Sequence, residues 1–167
     1  MNRLKLYTII GIFFTFITGT ISHFIYEWSH NNFILGFLFP INESTWEHMK
    51  LCFFPMLLYS FYMNRKLERE YPCITSALLC GILLGTCLIP VIFYTYSGVL
   101  GHNLLPLDIA TFALSVLAGF KAAYSLSLSC RANSHRAILK LFVFMLTIGF
   151  FLFTYHPPDI GLFHIKN

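Results

Sequence analysis

Long apolar runs alternate with short polar stretches along this chain, and the runs have the length of helices rather than strands. About 20 apolar residues span a bilayer as a helix. Five segments reach or approach that length: residues 6–27, 45–63, 73–96, 107–128 and 138–155, the last being the shortest. No water satisfies backbone N–H and C=O groups inside a bilayer, so apolar runs that are continuous rather than alternating predict helices. The expected fold is all-α, a single domain over residues 1–167, an integral membrane bundle of about five transmembrane helices. Pro90 interrupts the third segment and is expected to kink it. Residues 32–40, N-F-I-L-G-F-L-F-P, are too short to span and too apolar for a solvated loop. They predict an interfacial or re-entrant segment.

Composition agrees with this reading. Hydrophobic residues make up 57% and charged residues 11%, with a mean hydropathy of +0.69, whereas a soluble domain carries roughly a quarter charged residues. The expected partner is the lipid bilayer, not nucleic acid, and the expected location is the cell membrane, as a multi-pass protein. Residues 6–27 have a basic start in Arg3 and Lys5. They are too long, and lack a small-x-small cleavage site, for a signal peptide, so they read as a retained helix.

The placement of positive charge says more than its total. Arg3 and Lys5 precede the first segment, Arg65, Lys66 and Arg69 lie between the second and third, and Arg131, Arg136 and Lys140 between the fourth and fifth. With five alternating crossings these share one side. Lys/Arg-rich loops stay in the cytoplasm, which predicts the N-terminus inside and the C-terminus outside. Only Lys50 and Lys166 fall towards the other side, and Lys121 is close enough to the inner end of its helix to snorkel there.

Five cysteines (Cys52, Cys73, Cys80, Cys87 and Cys130) include no C-x-x-C pair. They read as small apolar side chains in helices, not as a disulfide framework. Gly81 and Gly85 form a G-x-x-x-G, a spacing that lets helices approach closely, either within the chain or in a homo-oligomer.

Most acids and histidines gather at the outer side, and an ionisable group at a membrane edge is a candidate for function. His23 and Glu27, four residues apart, share one helix face. The densest stretch is Asn42-Glu43-Ser44-Thr45-Trp46-Glu47-His48-Met49-Lys50. Its structural reading is a capping box, with Ser44 as N-cap and Glu47 reaching back, plus an i, i+3 pair between Glu47 and Lys50. That leaves Glu43 and His48 unexplained. His48 also sits about 100° around the helix from Glu47, so the two cannot face one partner squarely. Asp108 follows Pro106 at a helix start, and His156 precedes Pro157 and Pro158. If these groups meet, imidazole and carboxylate would suit zinc or another divalent cation. The ligands expected on that reading are His23, Glu27, Glu47 and His156, with Glu43, His48 and Asp108 as catalytic or supporting groups.

The runs I-S-H-F-I-Y-E-W-S and F-P-I-N-E-S-T-W-E-H-M-K, with the ending T-Y-H-P-P-D-I-G-L-F, resemble a family of small bacterial integral membrane proteins of unknown function. The N-E-S-x-W-E-H-x-K motif, here Asn42 to Lys50, is the most specific part. The resemblance implies a membrane location and a shared fold, and no catalytic role. Three classes of function stay open: a metal- or proton-binding site, a small transporter or sensor subunit, and a non-enzymatic membrane interaction protein.

Overall fold

A computed structural model describes residues 2–164; Lys166 lies outside them. The element order is α1 (Arg3–Trp28), a one-turn α2 (Phe33–Gly36), α3 (Thr45–Leu67), α4 (Ile74–Leu100), α5 (Leu105–Ser129) and α6 (Arg136–Tyr155). Four of these are long and apolar enough to cross a membrane: α1, α4, α5, and α6 with the turn before it, residues 133–155. The remaining long helix, α3, carries Glu47 in its first turn and Arg65 and Lys66 in its last. α4 continues through Pro90 to Leu100, past the expected end at residue 96, and closes on Gly101 at φ 77°. The connection between α4 and α5 is accordingly only residues 101–104.

α3 is the most enclosed element, although it is the least apolar. α1 packs on one side of it and α4 on the other; α5 lies against α4 and α1, and α6 against α4 and α3. The close approach predicted for Gly81 and Gly85 is made within the chain. A Cβ at Gly81 would come 2.5 Å from the Gly119 carbonyl oxygen, and one at Gly85 would come 3.0 Å from that of Ser115. α4 and α5 therefore touch backbone to backbone. Aromatic rings fill the seam between α3 and α6, with Phe150 centred 4.7 Å from Trp46 and 5.1 Å from Phe53.

The cysteine expectation needs correction. Cys73, the N-cap of α4, and Cys130, the C-cap of α5, form a disulfide with Cα atoms 5.3 Å apart. The physical reason is the glycine seam. It holds two antiparallel helices so close that the start of one meets the end of the other. Cys52, Cys80 and Cys87 remain free, Cys52 being buried and Cys87 exposed. The bridge lies at the Lys/Arg-rich end of the bundle.

Residues 32–40 fold over one end of the bundle. Asn32 caps α2 through its side chain. The Tyr155 hydroxyl at the end of α6 donates to the Phe33 carbonyl at 2.7 Å, and their rings stack at 4.5 Å. Lys50 Nζ donates to the Gly36 carbonyl at 3.0 Å. The same end holds the polar groups singled out above.

Candidate metal centre

The polar stretch before and within α3 divides into two sets that face different ways. Ser44 is the N-cap, its hydroxyl accepting from the Glu47 N–H at 3.4 Å. The other half of the expected capping box is not made. The Ser44 N–H goes to Asn42 Oδ1 at 2.9 Å, while Glu47 Oε2 accepts from the Ile41 N–H at 3.0 Å. Glu47 is also held by Lys50, 2.7 Å away, in a pair whose side chains are 2% and 0% exposed. Lys50 completes its shell with the Gly36 carbonyl and Thr154 Oγ1, the latter at 2.6 Å. Every proton of the ammonium has an acceptor, which a buried charge requires. This set ties the folded-over segment, α3 and α6 together, and it occupies the Glu47 carboxylate fully.

His48 points the other way, as its angular offset from Glu47 requires. His48 Nδ1 lies 2.9 Å from the Ser44 carbonyl oxygen. A carbonyl only accepts, so Nδ1 carries the proton. In the neutral ring Nε2 then presents a lone pair, and it faces Glu43 Oε2 at 3.3 Å. His23 Nε2 lies 3.7 Å from the same oxygen, and the two imidazole rings are 5.3 Å apart. One ligand atom from each of His23, Glu43 and His48 lies within 4.8 Å of the others. Acceptors brought this close repel unless positive charge sits among them, as a proton on an imidazole or as a cation. With a proton on His48 Nε2 as that positive charge, the Glu43 carboxyl is held below the ordinary glutamate range, chiefly by its hydrogen bond with His48, against the opposing effect of partial burial; the charges of His48 and His23 add to the lowering.

Three segments supply this trio: the C-terminal part of α1, the loop before α3, and the first turn of α3. It opens on a cavity of about 300 Å³. Asp108, from the first turn of α5, lines the same cavity and accepts a hydrogen bond from the Tyr96 hydroxyl. Asn103 adds an amide, and Leu51, Ile89 and Phe112 make an apolar wall. Polar and apolar side chains share the lining.

The structure thus brings together His23, Glu43, His48 and Asp108 from the expected residues. Glu27 is exposed and joins no such trio among the described residues. Glu47 is committed to Lys50, and His156 is exposed at the C-cap of α6. Tyr96 and Asn103 were not among the expected site residues.

With this geometry in place, the comparison with known families is informative. The chain belongs to the Family of unknown function (DUF6512), which it matches over residues 1–166. No curated protein and no solved structure matches it. Membership fits a membrane protein of unknown activity, so the chemistry has to be read from the site.

Proposed function

We propose that this protein crosses the cell membrane five times, with α3 as the fifth crossing, its N-terminus in the cytoplasm and residue 164 outside, and holds a divalent metal ion at its outer mouth. Supporting the count is the enclosure of α3 by α1, α4 and α6. The orientation follows from the Lys/Arg bias. His23, Glu43 and His48 are the ligands on this reading, and zinc suits two imidazoles and one carboxylate. The observation that carries it is the facing pair of acceptors, His48 Nε2 and Glu43 Oε2 at 3.3 Å, with the His48 proton already committed to Ser44. That backbone bond is the outer-shell support that metal-binding histidines commonly have.

Three protein ligands leave a tetrahedral ion one open position, which is the pattern of a catalytic rather than a structural zinc. An ion there would lower the pKa of a bound water towards neutrality. Asp108 lines the cavity on the α5 side, held by Tyr96, as a group to take or return a proton. The apolar wall suits a substrate with a hydrophobic part, and the Glu43 side chain, 64% exposed, leaves the trio open to water.

The test is metal content. Protein purified in mild detergent, without a His-tag or chelator, is expected to carry about one zinc or similar ion per chain. His23→Ala, Glu43→Gln and His48→Ala should each lose it with the fold intact. A wild type that takes up no metal after zinc addition would refute the reading and leave the positive charge among the acceptors to a proton.

A further inference from the structure

A second cavity, of about 430 Å³, lies at the opposite, Lys/Arg-rich end between α3, α4 and α6. Polarity changes along it in the same direction on all three helices. At the basic end it is lined by Asn64 near the end of α3, Thr75 at the start of α4, and Arg136 and Lys140 at the start of α6. One to two turns deeper the lining becomes Leu57 and Phe61, Leu78 and Leu79, and Val143 and Phe144, with only Ser60 and Thr147 polar, each hydroxyl donating to a carbonyl of its own helix. Arg136 and Lys140 are four residues apart, so both face the cavity from one stripe of α6. Neither takes part in an ion pair among the described residues. By contrast, the Thr75 hydroxyl already donates to Asn64 Oδ1 at 2.8 Å. The free polar valence of the cavity is therefore cationic. The neighbouring loop carries Glu68, which accepts from Asn64 at 3.2 Å, and Glu70, paired with Arg3, against Arg65, Lys66 and Arg69 and the two lining cations.

From Arg136 to Thr147, the deepest α6 residue of the lining, the helix rises about 16 Å. The hydrocarbon of one leaflet is about 15 Å deep, half of the 30 Å core. A groove one leaflet long, cationic at the headgroup end and apolar below, has the polarity profile of a phospholipid. A helix from another protein would have to bring an acid to the same depth. A lipid supplies its phosphate there by construction, and Arg offers it a bidentate contact. We propose that this groove is a binding site for one anionic phospholipid, with its phosphate on Arg136 and Lys140 and an acyl chain along Leu57, Leu79 and Phe144. It is independent of the metal reading and of which side of the membrane the basic end occupies.

The experiment is native mass spectrometry of the protein released from nanodiscs made of equal parts phosphatidylglycerol and phosphatidylethanolamine. The wild type should retain one lipid, mostly phosphatidylglycerol. The variant Arg136→Gln/Lys140→Gln should lose that preference at least tenfold, and Leu79→Trp, which fills the groove without touching charge, should retain less of either lipid. Arg131→Gln, at the same membrane end but outside the lining, should behave as wild type. Gel-filtration profiles and melting curves establish that each variant is folded. Equal retention of both lipids by the wild type, or undiminished phosphatidylglycerol on the Arg136/Lys140 double variant, would overturn the proposal.

Discussion

Glu47 and Lys50 offer the sharpest test of how this bundle is held together. Their side chains are almost wholly buried and 2.7 Å apart. Glu47→Gln leaves an ammonium among neutral acceptors: the Gly36 carbonyl, the Thr154 hydroxyl and the new amide. Lys50→Met leaves a carboxylate held only by the Ile41 N–H and, more distantly, Thr154. Removing one partner of a buried pair costs about 3–5 kcal/mol, whereas replacing both with neutral groups is far milder. The double variant removes both charges and keeps an acceptor for Ile41. Its expected cost is about 1–3 kcal/mol, from the lost hydrogen bonds to Gly36 and Thr154. The double variant should thus be more stable than the sum of the singles predicts by at least about 2 kcal/mol, or about 4–8 °C in Tm for a chain of this size. Thermal unfolding in detergent of all four proteins gives the cycle. Additivity within about 0.5 kcal/mol would show that the charges do not sense one another and would refute the argument. Bound metal gives an independent readout, since the double variant should retain it if Glu47 serves Lys50 rather than the ion.

Other expectations follow from the remaining contacts. Gly81→Ala drives a Cβ to 2.5 Å from a backbone oxygen that cannot move alone; it should cost about 1–3 kcal/mol by overpacking, read as a lower Tm, whereas Gly98→Ala, with nothing within 4 Å, should leave the α4–α5 seam unchanged. Because Glu43 is held below its ordinary value of 4.5, its contribution to stability is present above that pH and is lost as the pH falls through its folded value. The Tm advantage of wild type over Glu43→Gln, measured on metal-free protein, should therefore shrink below about pH 4.5. Cys73→Ser should lower stability by at most about 4 kcal/mol in chain-entropy terms for a separation of 57 residues, read as a lower Tm. Thiol labelling with a membrane-impermeant reagent before and after reduction would show which face the bridge occupies. Labelling only after reduction and only from the outside would reverse the orientation inferred from charge.

How far the chain could be read in advance varied with the kind of signal. α1, α4, α5 and α6 announce themselves as continuous apolar runs, and their boundaries shift by only a few residues. α3 was read as the apolar segment 45–63, with Ser44 as its cap, and it runs four residues further, to Leu67. The split between Glu47 and His48 was also visible, because a 100° step cannot point both at one partner. Glu43 was harder, because it lies in a turn where no period says which way a side chain faces. Its proximity to His23 arises only when α1 and α3 pack. His156 and Glu27 share a depth with the site, but depth does not determine position around the bundle. Cys73 and Cys130 each lie at a helix end on the same side, which was the available hint of a bridge. Pairing them requires knowing that α4 and α5 are neighbours and that glycines bring them close.

The shell around Lys50 also bears on how the protein is made. On the five-crossing reading, α3 enters the membrane carrying a lysine near one end, and an isolated lysine costs up to roughly 3 kcal/mol at the insertion machinery, the full amount at the helix centre. Glu47 and Gly36 are synthesised before or with it, but Thr154 lies 104 residues further along the chain. The ribosome must make α4, α5 and nearly all of α6 before that third acceptor exists. Through most of synthesis the nascent chain therefore holds an incompletely solvated ammonium. That makes α6 the helix that completes assembly, and nascent chains stopped before Thr154 the ones a membrane quality-control protease should find first.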